Sequence, residues 1–350
     1  MFCKECQTIT NHIFDVTFFW LYLPTSDGFA KVNKVADEQG YTKVCMSDYC
    51  IRLAIPRERV TPFLTALMVA LNGQELANTN MVTTEVDKLL PDDLGRVLTA
   101  DIFIHRYQSL WVSDALEAER YETWFQPIYK TSGGMGDELF AYEGLFRMRD
   151  EKNVQIPPGH VFHVAGKSDL LYTLDLAARH CAVEAAARAG LNFAKIFINF
   201  NPSSVYDPAY CLRTTVAAVT EKGLEPKNIV FELTETHAAR DKAHLKSILD
   251  FYRMAGFGIA LDDIGSGWSS LNMLHEMRPD YVKIDMDLIR DIDQDTFKQV
   301  IVKHLLHIAR DNGILTVAEG IETEAEASVL RQMGVDYMQG YFFGKPAFMG

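Results

Sequence analysis

The stretch GIALDDIGSGWSSL, residues 258–271, holds the pattern that decides the fold. An apolar run ends in two adjacent carboxylates, Asp262 and Asp263, and a glycine-rich turn follows at once. A second apolar run, YVKID at 281–285, carries Lys283 in its middle. Carboxylates on apolar strands are costly to bury unless they are paired or bound to a cation. The stretch therefore predicts a charged site at the ends of buried strands.

The same arrangement recurs on both sides of this stretch. Acidic or amide side chains end or follow further apolar runs, namely Glu143, Asn199, Glu232 and Glu319. Any one of them alone would more often be a solvated residue at a strand end. A series at one position of each repeated unit indicates a polyvalent metal site. Oxygen-only ligands favour Mg²⁺ or Mn²⁺ over zinc, which favours Cys and His.

Strands and helices alternate from residue 125 onward. Apolar strands separated by helices imply parallel pairing and βα units. Eight strands within roughly 225 residues match a TIM-like (β/α)8 barrel. A doubly wound open sheet is the competing architecture, but such a sheet concentrates its site at one switch point, whereas here polar residues end many strands. The predicted strands are 125–129, 139–148, 196–201, 229–234, 258–263, 281–285, 315–319 and 337–343.

The region before residue 110 has a different pattern. It suggests a strand at 14–23, a helix at 29–39, a β-rich run at 42–55 ended by Pro56, and a helix at 60–71. We therefore predict a small α+β domain at 1–110, with a regulatory or sensor role, ahead of a barrel domain at 115–350.

Four cysteines of the N-terminal domain are spaced as two pairs, Cys3 with Cys6 and Cys45 with Cys50. Four thiolates suffice to close a structural zinc site. The second spacing is loose, and about forty residues separate the pairs, so ordinary reduced thiols are the alternative.

Charge and composition limit the classes of function that this protein can have. The chain has 350 residues, and its net charge of −13 argues against sequence-independent binding of nucleic-acid polymers. No apolar run approaches the roughly 20 residues of a bilayer-spanning helix, and the N-terminus lacks the pattern of a signal peptide. We expect a cytoplasmic protein without membrane insertion.

Eight motifs in order resemble the EAL family of cyclic-di-GMP phosphodiesterases. They cover about residues 122–346 and read FQPIY at 125–129, EGLFR at 143–147, FINFNP at 197–202, FELTE at 231–235, LDDIGSGWSSL at 261–271, DYVKID at 280–285, AEGIE at 318–322 and QGYFFGKP at 339–346. The resemblance implies hydrolysis of cyclic di-GMP to linear 5′-pGpG by a homodimer associated through its barrels.

The resemblance also implies roles for matching residues. It implies two Mg²⁺ or Mn²⁺ ions, the first bound by Glu143, Asn199, Glu232 and Asp262 and the second by Asp262 with Asp263 and Glu319. Lys283 matches the lysine beside the attacking water, and Gln339 lines the same pocket. Arg147 matches the arginine that contacts the substrate in the family, and Glu235 matches the glutamate that braces the loop after Asp263. We also expect Gln126, on the first barrel strand, to contact the substrate.

The chain departs from the family pattern at three positions. The signature triplet has Gly144 where the family has alanine, and Ile264 and Trp268 replace Phe and Tyr in the loop after Asp263. Because every metal-type residue is kept, we expect catalysis to survive and loop coupling to change. The alternative is a catalytically inactive cyclic-di-GMP receptor that signals through the N-terminal domain. A barrel phosphodiesterase for another nucleotide is a further, weaker alternative.

Overall fold

The computed structural model describes residues 13–131, 137–168, 170–202, 205, 208–234, 242–265 and 270–349. The chain divides into two compact units. Among the described residues, 13–117 together with Gly159–Leu171 form one, and Ala118–Pro158 together with residues from Tyr172 onward form the other. Within the described ranges, no helix has the length and apolarity needed to cross a bilayer.

The N-terminal unit is an antiparallel five-stranded sheet with helices, in the strand order β2-β3-β1-β4-β5. Its strands are β1 (Val16–Tyr22), β2 (Thr42–Cys45), β3 (Cys50–Pro56), β4 (Asn80–Thr84) and β5 (Leu98–Thr99). Its helices are α1 (Ser26–Gln39), α2 (Val60–Ala70), α3 (Gly73–Asn78), α4 (Ala100–Gln108), α5 (Leu110–Glu117) and most of α6 (Pro158–Lys167). Short 3₁₀ turns lie at Arg57–Arg59 and Pro91–Arg96.

Alternation along β1 places Phe19 and Leu21 in the core of this unit, where both are fully buried. The predicted run at 42–55 is in fact a hairpin, because the chain turns at 46–49. The backbone N–H groups of Met46 and Ser47 both donate to the carbonyl of Cys50 and close that turn. The prediction of one continuous run missed this turn.

Eight strands close the barrel of the second unit, and all eight predicted strands are present. In chain order they are β6 (Tyr121–Lys130), β7 (Glu138–Arg149), β9 (Lys195–Asn199), β10 (Ile229–Thr234), β11 (Gly258–Ile264), β12 (Tyr281–Ile284), β13 (Leu315–Ala318) and β14 (Tyr337–Gln339). The short strands β8 (Gln155–Ile156) and β15 (Ala347–Phe348) extend the sheet beside β7 and β6. This confirms the TIM-like barrel and excludes the open sheet.

One strand departs from the parallel arrangement. β6 runs antiparallel to both of its neighbours in the ring, β7 and β14, whereas the other neighbouring pairs are parallel. Residues 131–137 connect β6 to β7, and a parallel crossover needs about a dozen residues or more. The short connection therefore forces the first strand to pair antiparallel.

Helices connect the parallel strands. They are α7 (Leu171–Arg188), α8 (Pro208–Glu221), α9 (Lys242–Met254), α10 (Ser270–Met277), α11 (Met286–Ile289), α12 (Thr296–Asp311) and α13 (Glu324–Met333), with 3₁₀ turns at Leu191–Phe193 and Pro226–Asn228. Helix α13 shows how the sequence sets these bounds. Thr323 and Glu326 form a capping box at its start, and Gly334 ends it with a φ of 79°.

An apolar layer fills the lower interior of the barrel, with one side chain from each strand. Aromatic rings pack closely here, and the ring of Tyr337 in the layer stacks on that of Phe140 beside it, with centroids 3.9 Å apart. Strand residues two positions apart point to the same side, so the next interior layer is fixed by this one. The layer consists of Ile128, Ala141, Phe197, Val230, Ala260, Tyr281, Val317 and Tyr337, with Phe140 packed against it.

Candidate active site

A polar layer lies directly above the apolar one, at the carboxyl ends of the parallel strands. Each member is two residues further along its strand than the apolar residue, except on the reversed strand β6, where it is two residues earlier. The strand register confirms that these residues lie at the same height along the barrel axis, because Gln126 pairs with Glu143 and Asn199 pairs with Glu232. The eight members are Gln126, Glu143, Asn199, Glu232, Asp262, Lys283, Glu319 and Gln339.

Lys283 lies at the centre of this layer with only 1% of its surface exposed. Its Nζ lies 2.5 Å from Glu319 Oε1 and 2.8 Å from Glu232 Oε1. The carboxylates of Asp262 and Glu143 lie 3.4 Å and 3.5 Å from the same nitrogen. Carboxylates from the ends of four other strands therefore surround one ammonium group.

Amide side chains hold Glu143 from both sides. Asn199 Nδ2 donates to Glu143 Oε1 at 3.1 Å, and Gln339 Nε2 donates to Glu143 Oε2 at 2.6 Å. Gln339 Nε2 also lies 3.2 Å from Gln126 Oε1, and Gln126 Nε2 donates to the carbonyl of Gly344 at 3.2 Å. The sequence did not predict this connected chain of hydrogen bonds, because Gln126 joins it only through the reversed direction of strand β6.

The adjacent acids Asp262 and Asp263 reach one pocket because the strand turns between them. Asp263 has a φ of 59°, a left-handed conformation that is uncommon for a residue other than glycine. Its backbone N–H donates to Asp262 Oδ1 at 3.0 Å. Carboxylate oxygens of Asp262, Asp263 and Glu319 all lie within 4.8 Å of one another. Backbone strain at this point fits a functional site rather than a plain strand end.

The pKa values of the layer reflect crowding of negative charge. Burial raises the pKa of Glu232 and of Glu319 well above its usual range. Burial, Asp262 and Asp285 together raise the pKa of Asp263 to about 6. Asp285 was not among the predicted site residues, although it stands two residues after Lys283, directly after the end of β12, where it caps helix α11.

Lys283 itself stays protonated. Burial alone would lower its pKa, but the carboxylates of Asp262, Glu143, Glu232 and Glu319 outweigh burial and raise that pKa well above its ordinary value. Likewise, Lys283 and the two amide donors hold the pKa of Glu143 below its ordinary value against the effect of burial.

The donor set fits divalent cations that prefer oxygen. Four carboxylates surround a single ammonium group. Among the described residues, neither oxygen of the buried Glu232 accepts a well-formed hydrogen bond, although Lys283 lies at ion-pair distance from one of them. Buried anionic oxygens without donors are expensive, and hard cations such as Mg²⁺ or Mn²⁺ satisfy them.

The predicted substrate contacts lie at different depths. Gln126 is buried with both ends of its amide engaged, so contact with a substrate would require the hydrogen bond to Gly344 to open. Arg147 lies on the same side of β7 as Glu143 and four residues nearer the strand's end, and its guanidinium lies 5.6 Å from the ring centroid of Trp124. Burial lowers the pKa of Arg147. Glu235 and Trp268 lie outside the described residues, whereas Ile264 is buried.

The suggested zinc site is described only in part. Cys45 and Cys50 are free thiols on the two strands of the β2–β3 hairpin, and Cys3 and Cys6 lie outside the described residues. The zinc site stays a prediction.

Comparison with known proteins identifies the family. The EAL domain model matches residues 110–346, about two thirds of the chain. The chain belongs to the EAL domain family. This confirms the resemblance carried by the eight motifs.

Curated relatives of this EAL protein match it over about two thirds of its length. The cyclic di-GMP phosphodiesterase PdeF of Escherichia coli K12 is 30% identical over 237 residues, which cover 67% of this chain and 31% of PdeF. The probable cyclic di-GMP phosphodiesterase PdeG of the same organism is 31% identical over 63% of this chain and 44% of its own length. The chain thus spans less than half the length of these relatives.

Solved structures agree with the fold. A standalone EAL protein from Vibrio cholerae O395 in its c-di-GMP-bound form is 38% identical, with a TM-score of 0.58, over 66% of this chain and 93% of its own. The manganese/cy-diGMP complex of Klebsiella pneumoniae BlrP1 is 22% identical, with a TM-score of 0.59, over 96% of this chain and 97% of its own. The second likeness extends beyond the EAL domain and concerns the fold alone.

Proposed function

We propose that this EAL protein hydrolyses one phosphodiester bond of cyclic di-GMP to give linear 5′-pGpG. The observation that supports this proposal most strongly is the complete polar layer. In it, Lys283 lies within 3.5 Å of Glu143, Glu232, Asp262 and Glu319. The names of the relatives PdeF and PdeG support cyclic di-GMP as the substrate. A non-catalytic receptor would not need this set intact.

Two Mg²⁺ or Mn²⁺ ions belong to this proposal. Glu143, Asn199, Glu232 and Asp262 would hold one ion, and Asp262 with Asp263 and Glu319 would hold the other. Such a pair of cations supplies Lewis-acid stabilisation to the attacking and leaving oxygens of a phosphoryl displacement.

The protein's own residues then have separable tasks. Lys283 remains an ammonium, so it donates hydrogen bonds and positive charge near the reacting phosphate rather than accepting a proton. Gln339 and Asn199 orient the carboxylate of Glu143 by donating to its two oxygens. Arg147 offers a planar guanidinium for phosphate or a guanine edge. Water adds to phosphorus, and the cleaved P–O bond leaves a 3′-hydroxyl and a 5′-phosphate.

A turnover assay on the full-length protein with Mg²⁺ or Mn²⁺ tests the proposal. Conversion of cyclic di-GMP to pGpG by the wild type, lost in Glu143→Gln, is the expected result. Glu138→Gln is a matched control, because Glu138 is exposed on the same strand β7. Binding of cyclic di-GMP without turnover under all metal conditions would establish the receptor alternative instead.

We further propose that residues 1–110 form a regulatory domain and 115–350 the catalytic domain, in a homodimer that associates through the barrels. The segment Gly159–Leu171 lies within 115–350 by sequence but belongs to the compact N-terminal unit. This supports regulation, because the segment directly precedes α7 of the barrel in the chain. The rings of Trp111 and His160 stack within that unit, with centroids 5.8 Å apart. Trp111→Ala should change the turnover number, whereas Val69→Ala, at a residue 84% exposed, should not. Light scattering of the full-length protein tests the dimer.

A further inference from the structure

A buried ion pair, Asp175 with Arg179, lies outside the polar layer, on helix α7. Arg179 is 0% exposed, and its Nε donates to Asp175 Oδ2 at 3.0 Å. Burying two charges costs more than such a pair commonly returns, so a buried pair is weak evidence for stability by itself. The contacts that the pair makes indicate what else it does.

The guanidinium of Arg179 connects three helices and one strand end. Its Nη1 donates to Thr215 Oγ1 on α8 at 2.7 Å and reaches Tyr252 Oη on α9 at 3.4 Å. Its central carbon lies 5.3 Å from the ring centroid of Phe200. Burial alone would lower the pKa of Arg179, but Asp175 outweighs it and raises that pKa, so the group remains charged.

Asp175 passes this restraint to the chain after β9. Its Oδ1 accepts the backbone N–H of Asn201 at 2.9 Å. The preceding N–H, of Phe200, donates to the carbonyl of Glu232 at 2.9 Å. The two peptide groups directly after Asn199 are thus each held by a hydrogen bond, one to helix α7 and the other to the neighbouring strand β10.

We infer that Asp175 and Arg179 are positioning residues that fix the side chain of Asn199 for metal binding. Asn199 is an exposed member of the polar layer, so packing does not restrain it as it restrains the buried Glu232. Its amide reaches Glu143 only if the backbone of 199–201 keeps its direction. This inference rests on the proposed metal site and adds to it two residues that touch neither metal nor substrate.

The test measures Mn²⁺ binding to the full-length protein by electron paramagnetic resonance of the free ion. The double variant Asp175→Leu/Arg179→Met removes both charges together, so that no unpaired charge stays buried. We expect its affinity for Mn²⁺ to fall about 10- to 100-fold, as is typical when support of a metal ligand is removed. The control Glu184→Leu/Lys222→Met removes an exposed pair that includes another residue of α7 and should keep wild-type affinity.

A double-mutant cycle with Asn199→Ala separates positioning from general loosening. If the pair acts through Asn199, adding Asp175→Leu/Arg179→Met to Asn199→Ala should weaken Mn²⁺ binding by no more than about twofold. Full additivity, or wild-type affinity in the folded double variant, overturns the inference. If the double variant does not fold, the cycle is run with Arg179→Lys, which keeps the charge and loses the planar fork. There too, wild-type affinity or additivity overturns it.

Failure of the positioning inference can be distinguished from failure of the proposed phosphodiesterase activity. A wild type that binds Mn²⁺ but does not cleave cyclic di-GMP contradicts the phosphodiesterase and leaves the binding cycle to decide the positioning role. A wild type that binds no Mn²⁺ contradicts both.

Discussion

Lys283 Nζ and Glu319 Oε1 lie 2.5 Å apart at the ends of two adjacent parallel strands. Neither group is tolerable in the barrel interior without a partner, because each carries a charge that water no longer solvates. Lys283 also contacts three further carboxylates, so it acts as a shared counter-charge and not as half of one pair. Chemistry and stability are therefore coupled at this residue.

Replacing Lys283 by methionine should abolish most turnover. Loss of the ammonium removes a preorganised donor, for which about 100- to 1,000-fold in kcat is typical. It also leaves buried carboxylates without a counter-charge, so we expect a loss of about 3–5 kcal/mol in the free energy of unfolding without metal. Steady-state kinetics and urea unfolding measure the two effects. Lys303→Met, at an exposed lysine of α12, should change neither, and wild-type turnover by Lys283→Met would contradict the mechanism.

Mn²⁺ should stabilise the wild type against heat, because it binds the folded site and not the unfolded chain. At a concentration 100 times the dissociation constant, the gain is about 2.7 kcal/mol. Glu232→Gln should lose this gain yet keep or exceed wild-type stability without metal, because it removes one of several crowded acids whose charge is disfavoured by burial. Calorimetry with and without EDTA checks both. An equal Mn²⁺ response in the variant would exclude Glu232 as a ligand.

Gly144→Ala should be tolerated and should restore the family's signature triplet. A Cβ at residue 144 would lie 3.4 Å from Ala182 Cβ and from Thr123 Cγ2, which is ordinary contact. Alanine also costs less backbone entropy than glycine in a strand, so we expect about 0.5–1 kcal/mol of added stability with unchanged turnover. Thermal unfolding and kinetics of this variant test the expectation.

Gly340→Ala is the contrasting substitution. A Cβ at residue 340 would lie 2.0 Å from the carbonyl oxygen of Ile321, which is backbone and cannot rotate away. Because Gly340 follows Gln339 directly, the forced shift should lower both stability and turnover. If Gly340→Ala behaved like Gly144→Ala, the close approach of the two segments in the folded protein would be wrong.

Protonation of His180 should lower the free energy of unfolding as the pH falls. Burial, with Arg179 adding to it, lowers the pKa of His180 from 6.5 to about 4. The folded state therefore prefers the neutral ring, so this contribution is complete above pH 6.5 and is lost as the pH falls toward 4. The loss amounts to at most about 3 kcal/mol. Urea unfolding from pH 7 to 4 should show a smaller slope for His180→Gln, and the exposed control His307→Gln should keep the wild-type slope.

Much of the fold and the site followed from local pattern. The strand–helix alternation gave all eight barrel strands because each apolar run is short and each helix is bounded by its own signals, as at Thr323 and Gly334. The acids were visible because carboxylates are rare in apolar strands. The antiparallel pairing of β6 was also implied by its short connection, although the alternation alone suggested parallel strands throughout.

Other features depend on contacts between residues far apart in sequence. The β2–β3 turn depends on hydrogen bonds to Cys50, and the amide chain from Gln126 to Glu143 joins residues 126, 143 and 339. The sequence does not predict the role of Asp175. An acid followed four residues later by an arginine, as Asp175 is by Arg179, is commonly an exposed pair on a helix surface. Only burial turned that pair into a restraint on Asn201.

The sequence by itself determined which chemistry this protein can carry, since residue types and strand period place oxygen donors and one lysine at the strand ends. Tertiary structure alone decided how those groups share charge. Closing the barrel brings carboxylates from the ends of four other strands within 3.5 Å of the side-chain nitrogen of Lys283, and at that distance in a buried interior each carboxylate alters the protonation of the others. Coulomb interactions depend on distance in space, which the order of residues along the chain does not specify.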